Sequence, residues 1–169
     1  FQILVFKERT ICGFSLSSAV AREEKLVVAR ADLSPEHRLH STQGHARALV
    51  SRLVASMSTR SRPDGGALMG ILERLSDMDD FADRMNSLRE IEGGNNLAHV
   101  LIRFREGHET GNDAMKGAAI RWLRAEYEQK TAAREELGVR SIIDDAQAIG
   151  HLKGMAEICR LAGFGGLLI

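Results

Sequence analysis

The sequence predicts an α+β fold: a small antiparallel sheet, built from an N-terminal hairpin plus a strand near 97–104, packed against several long helices. Three observations lead there. Residues 2–6 and 10–16 are rich in Ile, Val, Phe and Leu and flank the charged link Lys7-Glu8-Arg9, as two half-buried strands joined by a polar turn would be. Ala98, Val100, Ile102 and Phe104 alternate with Leu97, His99, Leu101 and Arg103, which is the period of a strand. Elsewhere the apolar residues return every three or four positions, the spacing of one face of a helix.

After the hairpin, Lys25 to Ala31 with Val27 and Val28 is expected to be a third strand. Ser34-Pro35-Glu36 then starts a helix: a capping hydroxyl, a proline whose missing N–H costs nothing there, and an acid at the positive end of the dipole. The main helix follows over 41–62, with Ala46, Leu49, Val50, Leu53, Val54 and Met57 on one face and arginines on the flank. Ser61-Arg62-Pro63-Asp64-Gly65-Gly66 breaks the chain as an exposed loop near 58–66. Leu68, Ile71, Leu72 and Leu75, then Met78, Phe81, Met85 and Leu88, carry the helical stripe onward, with Ser76-Asp77 as a cap and Gly93-Gly94 as the stop. Beyond the strand at 97–104, Asp113 to Glu136 reads as one long helix closed by Gly138. A last helix spans roughly 141–161, and an apolar, glycine-loosened tail, expected to be mobile, covers 163–169.

At 169 residues the chain suits a single domain spanning 1–169, long enough to bury roughly 70% of its unfolded surface. Its 23 basic and 23 acidic residues leave no net field, so any electrostatic partner must be met locally. Locally the balance is uneven. No acid occurs between Glu36 and Asp64, whereas 64–92 holds Asp77, Asp79, Asp80, Asp83 and Glu90 against three arginines. Cys12 and Cys159 are too few for a disulfide framework and fit a reducing, cytoplasmic setting. No apolar run reaches the roughly 20 residues of a membrane span. Residues 1–6 lack the basic lead and cleavage site of a signal peptide, and a chain beginning at Phe1 is expected to be a processed or partial product.

The groupings that would carry chemistry are weak. His37, His40 and His45 match no ligand spacing for zinc. Pro63-Asp64 with Glu128-Gln129-Lys130 has the letters of a Mg²⁺ nuclease, but the second set falls within a helical pattern. The aspartates at 77–83 lack the glycine and glutamate of a calcium loop, and Gly163-x-Gly165-Gly166 lacks the Lys-Ser/Thr and helix of a phosphate loop. No catalytic residue, metal or cofactor is therefore expected, and an enzyme is not the favoured reading.

Three functional readings follow. The first is a non-enzymatic interaction or assembly protein that associates with itself and with other proteins, of the kind that serves as an accessory or assembly factor of a phage or virus particle. Its contacts would be Gly150 and Gly154, four apart on a helix, and Phe164, Leu167 and Leu168 of the tail. The alternative is a nucleic-acid binder using Arg47, Arg52, Arg60, Arg62, Arg121 and Arg124 on phosphates. The third is a metal-dependent hydrolase.

Overall fold

In the computed structural model, which describes residues 21, 25–31, 39 and 42–169, the chain is mostly helical. A short strand β1 (Val27–Val28) is followed by α1 (His45–Ala55), α2 (Leu68–Ser76), α3 (Phe81–Arg89), α4 (Gly94–Thr110), α5 (Asp113–Leu123), α6 (Lys130–Leu137), α7 (Ala148–Leu161) and a second short strand β2 (Leu167–Leu168). The strands pair in parallel, Val27 opposite Leu167 and Val28 opposite Leu168. Ser58 adds one antiparallel bridge on the other side of Val28.

The expected antiparallel sheet is thus corrected to a two-stranded parallel one. Its proposed hairpin, 2–6 and 10–16, lies outside the described residues, as does the helix start at Ser34-Pro35-Glu36. The strand expected at 97–104 is helix, the middle of α4. Leu97, Val100, Leu101 and Phe104 repeat at three and four, and all are buried, whereas Ile102, which a strand would bury beside Val100 and Phe104, is only partly so. Ion pairs Arg103–Glu106 at 2.5 Å and Arg105–Glu109 at 2.7 Å, spaced as helical neighbours, support the same turns.

The long helix expected over 113–136 is also two. Asn112 caps α5 by accepting from the Met115 N–H at 3.1 Å. At the far end Glu126 N–H donates to Arg121 O and Ala125 N–H to Trp122 O, each at 3.0 Å, with Ala125 left-handed at φ 55°. This pair of bonds is the Schellman arrangement, which normally carries glycine at the left-handed position. Alanine there conceals the stop from a reader of the sequence.

The apolar faces meet in one core. α4 is enclosed by α2, α3 and α5, while α7 lies against α1, α3 and β2. Trp122, Phe104, Leu49, Met57 and Ile71 are among its fully buried side chains, each contributing about 1.5–3 kcal/mol relative to exposure. Three helix ends are held by side chains from distant parts of the chain. His151 donates through Nε2 to Leu123 O at 2.7 Å, His99 to Leu137 O at 2.8 Å, and Arg84 to Leu161 O at 2.7 Å. Each satisfies a carbonyl that the last turn of a helix leaves without a partner.

Candidate functional site

Four regions hold the residues singled out in the sequence. The first surrounds the start of α1. The Asp145 carboxylate accepts from Gly44 N–H at 2.6 Å and from Arg47 N–H at 2.9 Å, capping the helix from a hundred residues away. The Arg47 N–H first, then desolvation against it and the Gly44 N–H, leave its carboxyl below the usual carboxylate range. The Arg47 guanidinium is drawn to Tyr127 O at 3.3 Å and Glu128 at 3.4 Å. Arg47 is therefore engaged within the fold.

The second is the junction of α5 and α6. Glu136 accepts from Tyr127 Oη at 2.5 Å and pairs with Arg121, whose guanidinium also lies 5.1 Å from the Tyr127 ring centre. Burial, and then the Glu136 carboxylate, push the Tyr127 hydroxyl pKa up. An open cleft of about 510 Å³ adjoins this cluster, lined by Asn112, Met115, Ala118, Arg121 and Glu136 among others. Arg124 lies 3.0 Å from Glu126 in an ion pair without hydrogen-bond alignment.

The third is the far end of α1. Arg52, Arg60 and Arg62 are exposed, and none of them has an acidic or aromatic partner among the described residues. Thr59 and Arg62 exchange backbone hydrogen bonds at 3.0 and 3.1 Å, making Arg60-Ser61 the tip of a two-residue hairpin. Its base is anchored because Ser58 and Val28 exchange backbone bonds at 2.8 and 2.9 Å. The loop expected near 58–66 is exposed over 60–64 and at Gly66, while Gly65 is half-buried and Ser58 and Thr59 are buried.

The fourth is the end of the chain. Leu167 and Leu168 are buried in β2, and Phe164 lies 5.5 Å below the Arg74 guanidinium. Gly154 is packed, for a Cβ there would come within 2.3 Å of Leu97 Cδ1, whereas Gly150 faces open space. Of the five residues assigned to oligomer contacts, Gly150 alone thus stands on open surface.

The weak chemical groupings are scattered. Asp64 follows the carboxyl end of α1 and Glu128 pairs with Arg47 near its amino end, and the helix between them is about 16 Å long at 1.5 Å per residue. Asp80 pairs with Arg84 at 2.7 Å, its pKa lowered chiefly by that hydrogen bond, and Asp77 meets His108 at 3.0 Å. His45 opens α1, while His37 and His40 lie outside the described residues. Among the described residues no group of three His, Cys, Asp or Glu side chains is placed to hold a metal, and no helix is long and apolar enough to cross a membrane. Sequence reading missed Asp145, His151 and the parallel pair, because each acts on a residue about 30 to 140 positions away.

The model of one family, described as BREX system ATP-binding protein BrxC/D, matches residues 14–78 and 75–169. No curated protein and no solved structure matches the chain.

Proposed function

The chain belongs to the BREX system ATP-binding protein BrxC/D family, which serves bacterial anti-phage defence, and from that premise we propose that it works in such a system with nucleotide bound at the carboxyl ends of β1 and β2. The observation that carries this is the parallel register of Val27–Val28 with Leu167–Leu168. In open sheets of parallel strands, ligands sit beyond the carboxyl ends, where loops leave the sheet. Here that edge is made by Ala29, Arg30 and Ala31 on one side and Ile169 on the other. Arg30 is exposed there, its backbone N–H held by Ser56 Oγ at 2.7 Å, and its charge suits a polyphosphate.

The helices have a separate part in this reading, as the face toward protein partners. The connection with phage runs through host defence, and a system of several components gives such a chain proteins to meet. Self-association and partner contact are assigned to the outer side of α7 around Ile149 and Gly150. Ile149, 37% exposed, is the large apolar side chain that the described core leaves outside. Leu167 and Leu168 are already used by β1.

Hydrogen exchange of the full chain with and without MgATP tests the assignment of the nucleotide edge. Slower exchange at 29–31 and 166–169 is expected, together with about tenfold weaker ATP binding for Arg30→Glu. Protection confined to α3 or α5, or ATP affinity indifferent to Arg30→Glu, would overturn it.

A further inference from the structure

We propose that the end of the molecule formed by the C-terminal part of α1 and the 59–62 hairpin is a surface for the phosphodiester backbone of a nucleic-acid duplex, contacted by Arg52, Arg60 and Arg62. Arg47, Arg84, Arg103, Arg105, Arg121, Arg124 and Arg160 each meet a carboxylate, and Arg74 covers Phe164. Arg52, Arg60 and Arg62, like Arg89, Arg134 and Arg140, meet neither among the described residues, but these three are carried by adjoining segments, the end of α1 and the hairpin that follows it. Arg52 is one turn before Ser56 on α1, and the returning loop rests on Ser56, where a Cβ at Gly65 would lie 3.6 Å from its carbonyl oxygen. Arg60 and Arg62 belong to the hairpin that leads into that loop. Asp64 is the one acid in the sequence from Thr42 to Gly66.

The hairpin is braced by its own hydrogen bonds. Its two reciprocal backbone bonds are joined by the contact of Thr59 Oγ1 with Ser61 Oγ at 3.1 Å, and its base is pinned to β1. Arginines on a fixed support bind without the further cost of ordering the backbone that carries them, and the guanidinium fork matches two phosphate oxygens. Ser61 at the tip adds a hydroxyl donor.

The same surface is poorly suited to a protein. Interfaces between proteins are anchored by buried apolar or aromatic side chains. No large hydrophobic is exposed in α1 or the loop after it, and Met57 and Leu53 point into the core. Charge and hydroxyls without an apolar anchor describe a contact with a polar, repeating anion. Nothing in the arrangement reads base edges, so the binding is independent of sequence.

The test is equilibrium binding of the full chain to a 20-base-pair DNA duplex, and separately to an RNA duplex, across a salt series. Each phosphate neutralised contributes about −0.9 to the slope of log K against log salt, so three contacts give about −2.7. Arg60→Glu with Arg62→Glu is expected to reduce the slope to about −1 and to weaken binding at low salt at least about tenfold. Arg60→Gln with Arg62→Gln, checked by an unchanged melting curve, guards against misfolding and should weaken binding in the same direction. Arg134→Glu, an exposed arginine on α6, should leave affinity within about twofold. Similar affinity for both duplexes assigns the contact to backbone charge in general, and preference for one names its source. Absence of binding at low salt, a slope unmoved by the hairpin substitutions, an equal loss from Arg134→Glu, or capture of an acidic protein in place of either duplex would overturn the proposal.

Discussion

Leu97 of α4 fills the space that a side chain at Gly154 of α7 would need, its Cδ1 standing 2.3 Å from where the Cβ would be. Gly154→Ala should therefore cost about 1–3 kcal/mol through overpacking. Because the obstacle is a side chain, Leu97→Ala in the same molecule should return part of that loss. Urea denaturation of the two single variants and the double checks this, and strictly additive losses would refute the contact.

Gly94 presents the harder case. A Cβ there would lie 1.8 Å from the Leu88 carbonyl oxygen, which is backbone and cannot turn aside. Gly94→Ala should destabilise the chain more than Gly154→Ala, by about 3 kcal/mol or more, and no truncation of a neighbouring side chain should restore it. Melting temperatures of the two variants, measured together, give the ranking.

Asp145 caps α1 through Gly44 and Arg47. Asp145→Asn keeps the shape but replaces one acceptor oxygen by a donor, and should cost about 1 kcal/mol, a fall of about 3 °C in melting temperature. Since the folded state holds this carboxyl below its ordinary range, its contribution is present above about pH 4 and is lost as the pH falls through the lowered value. The asparagine variant should therefore lose less stability on acidification than the parent chain, as denaturant midpoints at pH 3 and pH 6 would show.

The stripe Ala46, Leu49, Val50, Leu53, Val54, Met57 was legible because helical burial follows local spacing, and those residues are all buried. The stretch 97–104 was misread because its first and second neighbours alternate as well as its third and fourth, and only the packing of Leu97 and Leu101 decides between the periods. Ala125 gave no sign of a helix end, since its left-handed backbone is stabilised by bonds to Arg121 and Trp122 and not by its own identity. The arginines at 52, 60 and 62 were legible as charge. That Arg47, Arg121 and Arg124 are engaged elsewhere depends on Glu128, Glu136 and Glu126, of which only the last is near in sequence.

His151 is buried, with its ring edge-on to Trp122 and Nε2 bonded to Leu123 O. Burial pushes its pKa down from 6.5 to about 4, against the smaller upward pull of that carbonyl. The unfolded chain thus binds a proton that the folded chain refuses. Stability from this group is intact above pH 6.5 and falls by about 1.4 kcal/mol per unit as the pH drops toward 4, a loss of about 3 kcal/mol in all. His151→Gln, which can still donate to the carbonyl, should flatten that part of the profile by one proton.

Cys159 is fully buried, and the lack of solvent pushes its thiol pKa up to about 12. It should resist a maleimide at pH 8 in the folded chain and react on unfolding. Mass spectrometry of the peptide containing Cys159, with and without denaturant, measures this. Rapid labelling of the native chain would show that α7 opens far more readily than its packing implies.

The pairing of Val27 with Leu167 has a kinetic corollary. Two residues so distant along the chain are expected to meet after the intervening helices have condensed and shortened the search, because closing so wide a loop first would cost entropy with few contacts to repay it. The sheet should be the last element to form and the first to open, and a polypeptide still emerging from the ribosome would carry a finished helical cluster before its strands could join.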